Sequence, residues 1–224
     1  MRRSRLDLLA PLTGVVAMIM MMIGLAMAST YEPPYPPLAE QIAGHFSDNA
    51  GRVSLGSTIG ALSAFFLILF ASVVHSELRK REESSGPWST AAFGGGVAAA
   101  ATVVISFTAV VAATQRTGAA GGIDAVGAIT LYDLYSQLIT LAFPITLAVF
   151  IGATAVVSLR TAVFPAWFGW SSALVALGLL TPLAYFAGFF AIVWILMVSI
   201  WLYARGRSPE EETAAGDDST SRTA

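Results

Sequence analysis

The sequence predicts an all-α fold: a six-helix transmembrane bundle with a short amphipathic helix in its first outer loop. Three observations carry this. The 224-residue chain is 56% hydrophobic and only 12% charged, against about 25% charge in an ordinary soluble domain. Its apolar residues fall in blocks long enough for a hydrocarbon layer of about 30 Å, which takes about 20 helical residues. Its cations gather at alternate block boundaries, as the positive-inside rule describes.

The blocks lie at about residues 8–29, 53–77, 89–114, 136–159, 164–180 and 183–203. Only helices or closed barrels satisfy the backbone in lipid. Barrel strands alternate apolar and polar residues, and these blocks are apolar all round. Phe164 to Tyr203 is too long for one span. Thr181-Pro182 near its middle divides it, because proline lacks a backbone donor and disfavours helix in the residue before it. Residues 1–207 form the membrane domain. Residues 208–224 carry Glu210, Glu211, Glu212, Asp217 and Asp218 without a large apolar residue, a composition of disorder.

Orientation follows from lysine and arginine. With the N-terminus inside, the inner segments hold Arg2, Arg3, Arg5, Arg79, Lys80, Arg81, Arg160, Arg205, Arg207 and Arg222, and only Arg52 and Arg116 of the 12 cations fall outside. Trp88, Trp167, Trp170, Trp201 and Tyr203 sit at inner boundaries, and Tyr31, Tyr35, Tyr132, Tyr135 and Tyr185 near outer ones, the depth amphipathic rings prefer. Trp194 is the exception, deep in the last span. This places the chain in a cytoplasmic (inner) membrane with both termini cytoplasmic. A rival reading takes Arg2-Arg3, the first apolar run and Ala26-Met27-Ala28 as a cleaved signal peptide, leaving five spans. The run is nearer twenty residues than the about 7–15 of a signal peptide.

The first outer loop opens with Tyr31-Glu32-Pro33-Pro34-Tyr35-Pro36-Pro37, stiff and extended. Leu38, Ile42 and Phe46 then recur every four residues, the spacing of a short amphipathic helix. In the second outer loop, Gln115 to Gly127, Asp124 is placed to cap a helix leading into the fourth span. Pro144 inside that span kinks it.

No cysteine is present, which excludes disulfides, thiolate metal sites and a cysteine nucleophile. The net charge of −2 favours no nucleic-acid partner. His45 and His75 lie on opposite sides of the membrane and cannot share a haem. Met18 and Met22 make one MxxxM pair, a spacing that offers two thioethers to Cu(I) and that plain apolar spans also produce. Gly56, Gly60 and Ala64 form a small-xxx-small face, for packing within the bundle or for a second copy of the chain. Gly94-Gly95-Gly96 opens the third span, again for close packing. No nucleophile elbow, P-loop, zincin or dinucleotide fingerprint occurs in workable context. No cofactor or catalytic set is expected.

Ionisable residues inside a bilayer mark function, and here they stay at the boundaries. Glu77 is expected to pair with Arg160 at the inner face. Asn49, Arg52, Asp133 and Gln137 are expected to form an outer polar cluster if the second and fourth spans adjoin, either as an orienting salt bridge or as a shallow solute site. The order of the Pro-rich loop with Asp48-Asn49, Phe65-Phe66, Leu78-Arg79, Gly94-Gly95-Gly96, Gly152-Ala153-Thr154, Leu159-Arg160 and Pro165-Ala166-Trp167-Phe168-Gly169-Trp170 resembles a widespread family of uncharacterised bacterial multi-pass integral membrane proteins, a domain of unknown function. The resemblance covers the chain to about Arg205 and implies the architecture without an activity. Three functions are weighed. The first is non-enzymatic, structural, regulatory or envelope-associated, through lipid and a membrane-protein partner. The second is a small carrier for an apolar or weakly polar solute, with a midplane cavity lined by Thr102, Ser106 and Thr140. The third is a membrane enzyme.

Overall fold

The structure is a computed structural model and describes residues 8–29, 37–82, 86–117, 119, 122–161 and 163–220, with side chains to Arg205. The described residues are helical apart from short turns and connecting stretches, with no strand among them. A single 3₁₀ turn, Ala10–Leu12, leads into α1, Thr13–Ser29. Then follow α2, Ala39–Asp48; α3, Ala50–Arg79; α4, Trp88–Thr117; α5, Ala125–Gln137; α6, Phe143–Thr161; α7, Ala166–Leu179; and α8, Ala184–Thr220. Arg2, Arg3, Arg5, the stretch from Tyr31 to Pro36 and the tail side chains lie outside the described residues.

Among the described residues five segments are long and apolar enough to cross a membrane: Ala10–Ser29, Ala50–Arg79, Trp88–Thr117, Ala125–Thr161 and Ala184–Arg205. Helix α7, at 14 residues, reaches about 21 Å at 1.5 Å per residue, short of a full hydrocarbon crossing. The fourth segment is longer than the expected 136–159. Its 37 residues extend about 55 Å and outrun any bilayer core. The backbone of α8 continues as helix to Thr220, where composition favoured disorder. The glutamates and alanines of that stretch are good helix formers and prolong the turns of the span before them.

Helices pack in sequence around the bundle: α1 on α3, α3 on α4, α4 on α6, α6 on α7, α7 on α8, and α8 back on α1. Large apolar side chains such as Leu174, Phe186 and Phe189 point outward from this ring. A water-facing protein rarely exposes so much contiguous apolar surface.

Two kinds of contact hold the ring. On the α1–α3–α4 side, small residues bring backbones together. A Cβ on Gly24 would fall 2.6 Å from the Gly60 Cα, and one on Gly60 would fall 2.5 Å from the Phe107 ring. The Gly56–Gly60–Ala64 face is therefore used inside the bundle. A Cβ on Gly95 would meet the Phe150 backbone nitrogen at 2.6 Å and one on Gly96 the Ala71 methyl at 2.6 Å, while Gly94 faces open space.

On the α6–α7–α8 side, aromatic rings fill the interior. Trp194 is buried, lies edge-on to Phe150 at 5.7 Å and stacks on Phe168 at 5.9 Å. Phe150 in turn meets Phe70 of α3 at 6.0 Å. The Trp194 indole N–H donates to Ser172 Oγ at 2.6 Å, and that hydroxyl donates to the Phe168 carbonyl at 2.7 Å. A buried indole finds a partner in this way, which accounts for a tryptophan so deep in the span.

Leu138–Ala142, between α5 and α6, forms a π-helical turn in which the Phe143 N–H reaches back to the Leu138 carbonyl. Pro144 follows directly. Its missing N–H loosens the ladder there, and π-turns commonly absorb such an interruption.

Candidate functional site

The charged side chains sort to the two ends of the bundle. Helix α3 ends, α4 begins, α6 ends and α8 leaves the apolar region at one end. Arg79, Lys80, Arg81, Arg160 and Arg205 collect there with Glu77 and Glu82. Arg205 donates to the Val163 carbonyl at 3.2 Å, and its guanidinium carbon lies 4.9 Å from the Trp201 ring. At the opposite end Arg52 and Arg116 stand with Glu40, Asp48, Asp124 and Asp133.

The basic end holds a cavity of about 450 Å³ lined by Glu82, Gly86, Pro87, Trp88, Val157, Arg160 and Thr161. Its geometry begins with the start of α4. Glu82 Oε1 accepts the Trp88 N–H at 3.0 Å and Oε2 accepts the Ser89 N–H at 3.0 Å. One carboxylate thus satisfies two of the orphan donors of a helix N-terminus. Gly86 makes room, because a side chain there would collide with the Glu82 carboxyl. Slight burial pushes the Glu82 carboxyl up. The N–H groups of Ser89 and Trp88 and the charge of Arg79 outweigh this and hold it below its ordinary value. Arg79 also donates to the Gly86 carbonyl at 3.2 Å. His75 Nδ1 lies 2.9 Å from the Ser89 carbonyl, a second tie between α3 and α4.

Arg160 forms the facing wall. Its guanidinium carbon lies 5.7 Å from the centroid of the Trp88 ring, a cation–π distance. The expected Glu77–Arg160 pair is not formed: Glu77 binds Lys80, three residues on along α3. A partner on the same helix is always within reach, whereas Arg160 has the indole of Trp88 beside it.

The opposite end corrects a second expectation. Asn49 donates through Nδ2 to the His45 carbonyl at 3.2 Å. Asp133 and Gln137 are exposed on α5, and Arg52 is exposed on α3. The second and fourth spans meet at Phe70 and Phe150, whereas α5, which carries Asp133 and Gln137, packs on α2 and α4. Helix α2 does present an apolar face, burying Ile42, His45 and Phe46. Asp124 caps α5, its Oδ1 accepting the Gly127 N–H at 2.9 Å.

The midplane hydroxyls bond within their own helices. Thr102 donates to the Ala98 carbonyl at 2.9 Å and Ser106 to the Thr102 carbonyl at 2.7 Å. Thr140 is exposed on the π-turn and donates to the Ser136 carbonyl at 2.7 Å. Met18 is buried while Met22 is exposed, so the two thioethers look to different surroundings. Glu82 does not stand out in the sequence, because it lies six residues before the helix whose Trp88 N–H it accepts. Comparison with protein-family models, curated proteins and solved structures finds no match.

Proposed function

We propose that the chain is a six-pass protein of a bacterial-type cytoplasmic membrane, with both termini cytoplasmic, and that it acts without catalysis through its ends rather than through its middle. In this reading α7 and α8 form a helical hairpin turning at Pro182, and α2 lies on the outer face. The likeness to bacterial multi-pass proteins belongs to the same proposal. One observation carries the non-carrier part: the interior between α3, α6, α7 and α8 is filled by Phe70, Phe150, Phe168 and Trp194, all buried. A carrier needs a polar or open site near the midplane. Thr102 and Ser106 instead bind their own helix. What remains for recognition is the basic end, with its cavity and exposed cations.

The absence of cysteine makes the test direct. Single Thr102→Cys and Ser106→Cys variants in sealed vesicles are expected to resist a water-borne maleimide from both sides. Labelling of either from one side would support alternating access and overturn the reading. Gly121→Cys and Ala224→Cys, both outside the described residues, test orientation in intact cells. An impermeant label is expected at 121 and not at 224, and the reverse pattern would invert the topology.

A further inference from the structure

The cavity at the basic end holds two opposite charges that do not pair. Among the described residues, no ion pair joins Glu82 to Arg160 although both line it. Glu82 is held in place by the start of α4, and each of its oxygens keeps a further lone pair. The Arg160 guanidinium carbon lies 5.7 Å from the Trp88 ring centroid, and the guanidinium carries a fork of donors suited to an oxyanion. Pro87, Val157 and the Trp88 ring supply apolar wall between them.

A lone anion would satisfy Arg160 and be repelled by Glu82. A lone cation would meet the reverse. A ligand bearing both signs satisfies both walls, and discrimination of this kind rests as much on the repulsive partner as on the attractive one. The position adds a second constraint. The cavity sits where the apolar helices end and Trp88 begins α4, the depth of lipid headgroups. Basic pockets between helices at this depth are known to take headgroups.

We propose that this cavity binds a phosphate ester bearing a primary ammonium, the phosphate on Arg160 and the ammonium on Glu82, as in the headgroup of phosphatidylethanolamine. The proposal rests on the membrane reading above. The same chemistry also belongs to free phosphoethanolamine, so the test separates the two sources.

The unaltered protein is placed in nanodiscs of phosphatidylglycerol and titrated with phosphatidylethanolamine, its N-acetyl derivative and phosphatidylcholine, with bound lipid counted by native mass spectrometry. Phosphatidylethanolamine is expected to bind about tenfold better than either analogue, the equivalent of one charge-assisted hydrogen bond. Arg160→Gln is expected to weaken it by about tenfold. Glu82→Gln is expected to erase the preference over phosphatidylcholine. Because that substitution also loosens the cap of α4, the N-acetyl lipid on the unaltered chain makes the same test from the ligand's side. Displacement by millimolar phosphoethanolamine assigns the site to the soluble compound. Retention of the lipid preference without displacement assigns it to the lipid. Equal binding of all three lipids, or binding unchanged in Arg160→Gln, sinks the proposal. Failure to enter nanodiscs at all would instead sink the membrane reading.

Discussion

The two sides of the bundle solve one problem differently. In lipid, helices gain little from hiding apolar surface from water, so association depends on packing and on buried hydrogen bonds. The α1–α3–α4 side meets this with glycine, setting backbone against backbone where Gly24 meets Gly60 and admitting the Phe107 ring at Gly60 and the Ala71 methyl at Gly96. The α6–α7–α8 side meets it with volume, interleaving Phe150, Phe168 and Trp194 and adding one indole–hydroxyl bond. The first side is therefore intolerant of added atoms and the second of lost ones.

Several substitutions would break or sharpen that contrast. Trp194→Ala is expected to have the largest effect, a loss of about 3–5 kcal/mol typical of truncating a buried aromatic, read as a lowered unfolding midpoint in detergent. Trp194→Phe should recover most of it and isolate the bond to Ser172. On the other side, Gly24→Leu is expected to cost about 1–3 kcal/mol by overpacking. Gly94→Leu is its control, since Gly94 faces open space, and an equal loss there would erase the distinction between packed and open glycines. Asp124→Ala should cost about 1 kcal/mol through loss of the α5 cap, detectable as faster amide exchange over 125–128.

Glu82 gives a pH-dependent effect smaller than these. Its carboxyl is held below the ordinary value, so its contribution is complete above the unfolded glutamate value of about 4.3. It fades as the pH falls through the lower folded value. Glu82→Gln should flatten the dependence of stability on pH in that acidic window. An unchanged slope in the variant would remove Glu82 as its source. Asp133→Ala should move the midpoint least, within about 0.5 kcal/mol, because the carboxylate is exposed on α5.

Hydropathy located the first three long apolar helices within a few residues, whereas the fourth segment begins at Ala125, well before the expected 136, and Pro182 marked a turn between α7 and α8. These features are local: block length, a missing donor and the spacing of Ile42 and Phe46 act within one helix. Contacts between helices were not legible, because they depend on the order of helices around the ring. Nothing in the sequence near Asp133 announces that α4 and α2, rather than α3, become the neighbours of α5. The same holds for Arg160, whose partner is a ring on another helix rather than a carboxylate. Glu82 was hidden for a different reason. It acts six residues ahead of the helix it caps, and Gly-Pro alone does not say which side chain reaches the Trp88 N–H.

The π-turn at Leu138–Ala142 has a geometric consequence for the long fourth segment. Reaching back five residues instead of four slips the helical phase by about one residue, or about 100°. Ala128, Tyr132 and Tyr135 form the buried face before it, and Leu147, Ala148 and Ile151 belong to the buried face after it. The slip lets one unbroken rod show α2 and α4 one azimuth and α4 and α7 another. Deleting a single residue from this turn should swing the upper half like a key turned in its lock, unseating α2 while leaving the lower contacts of α6 aligned.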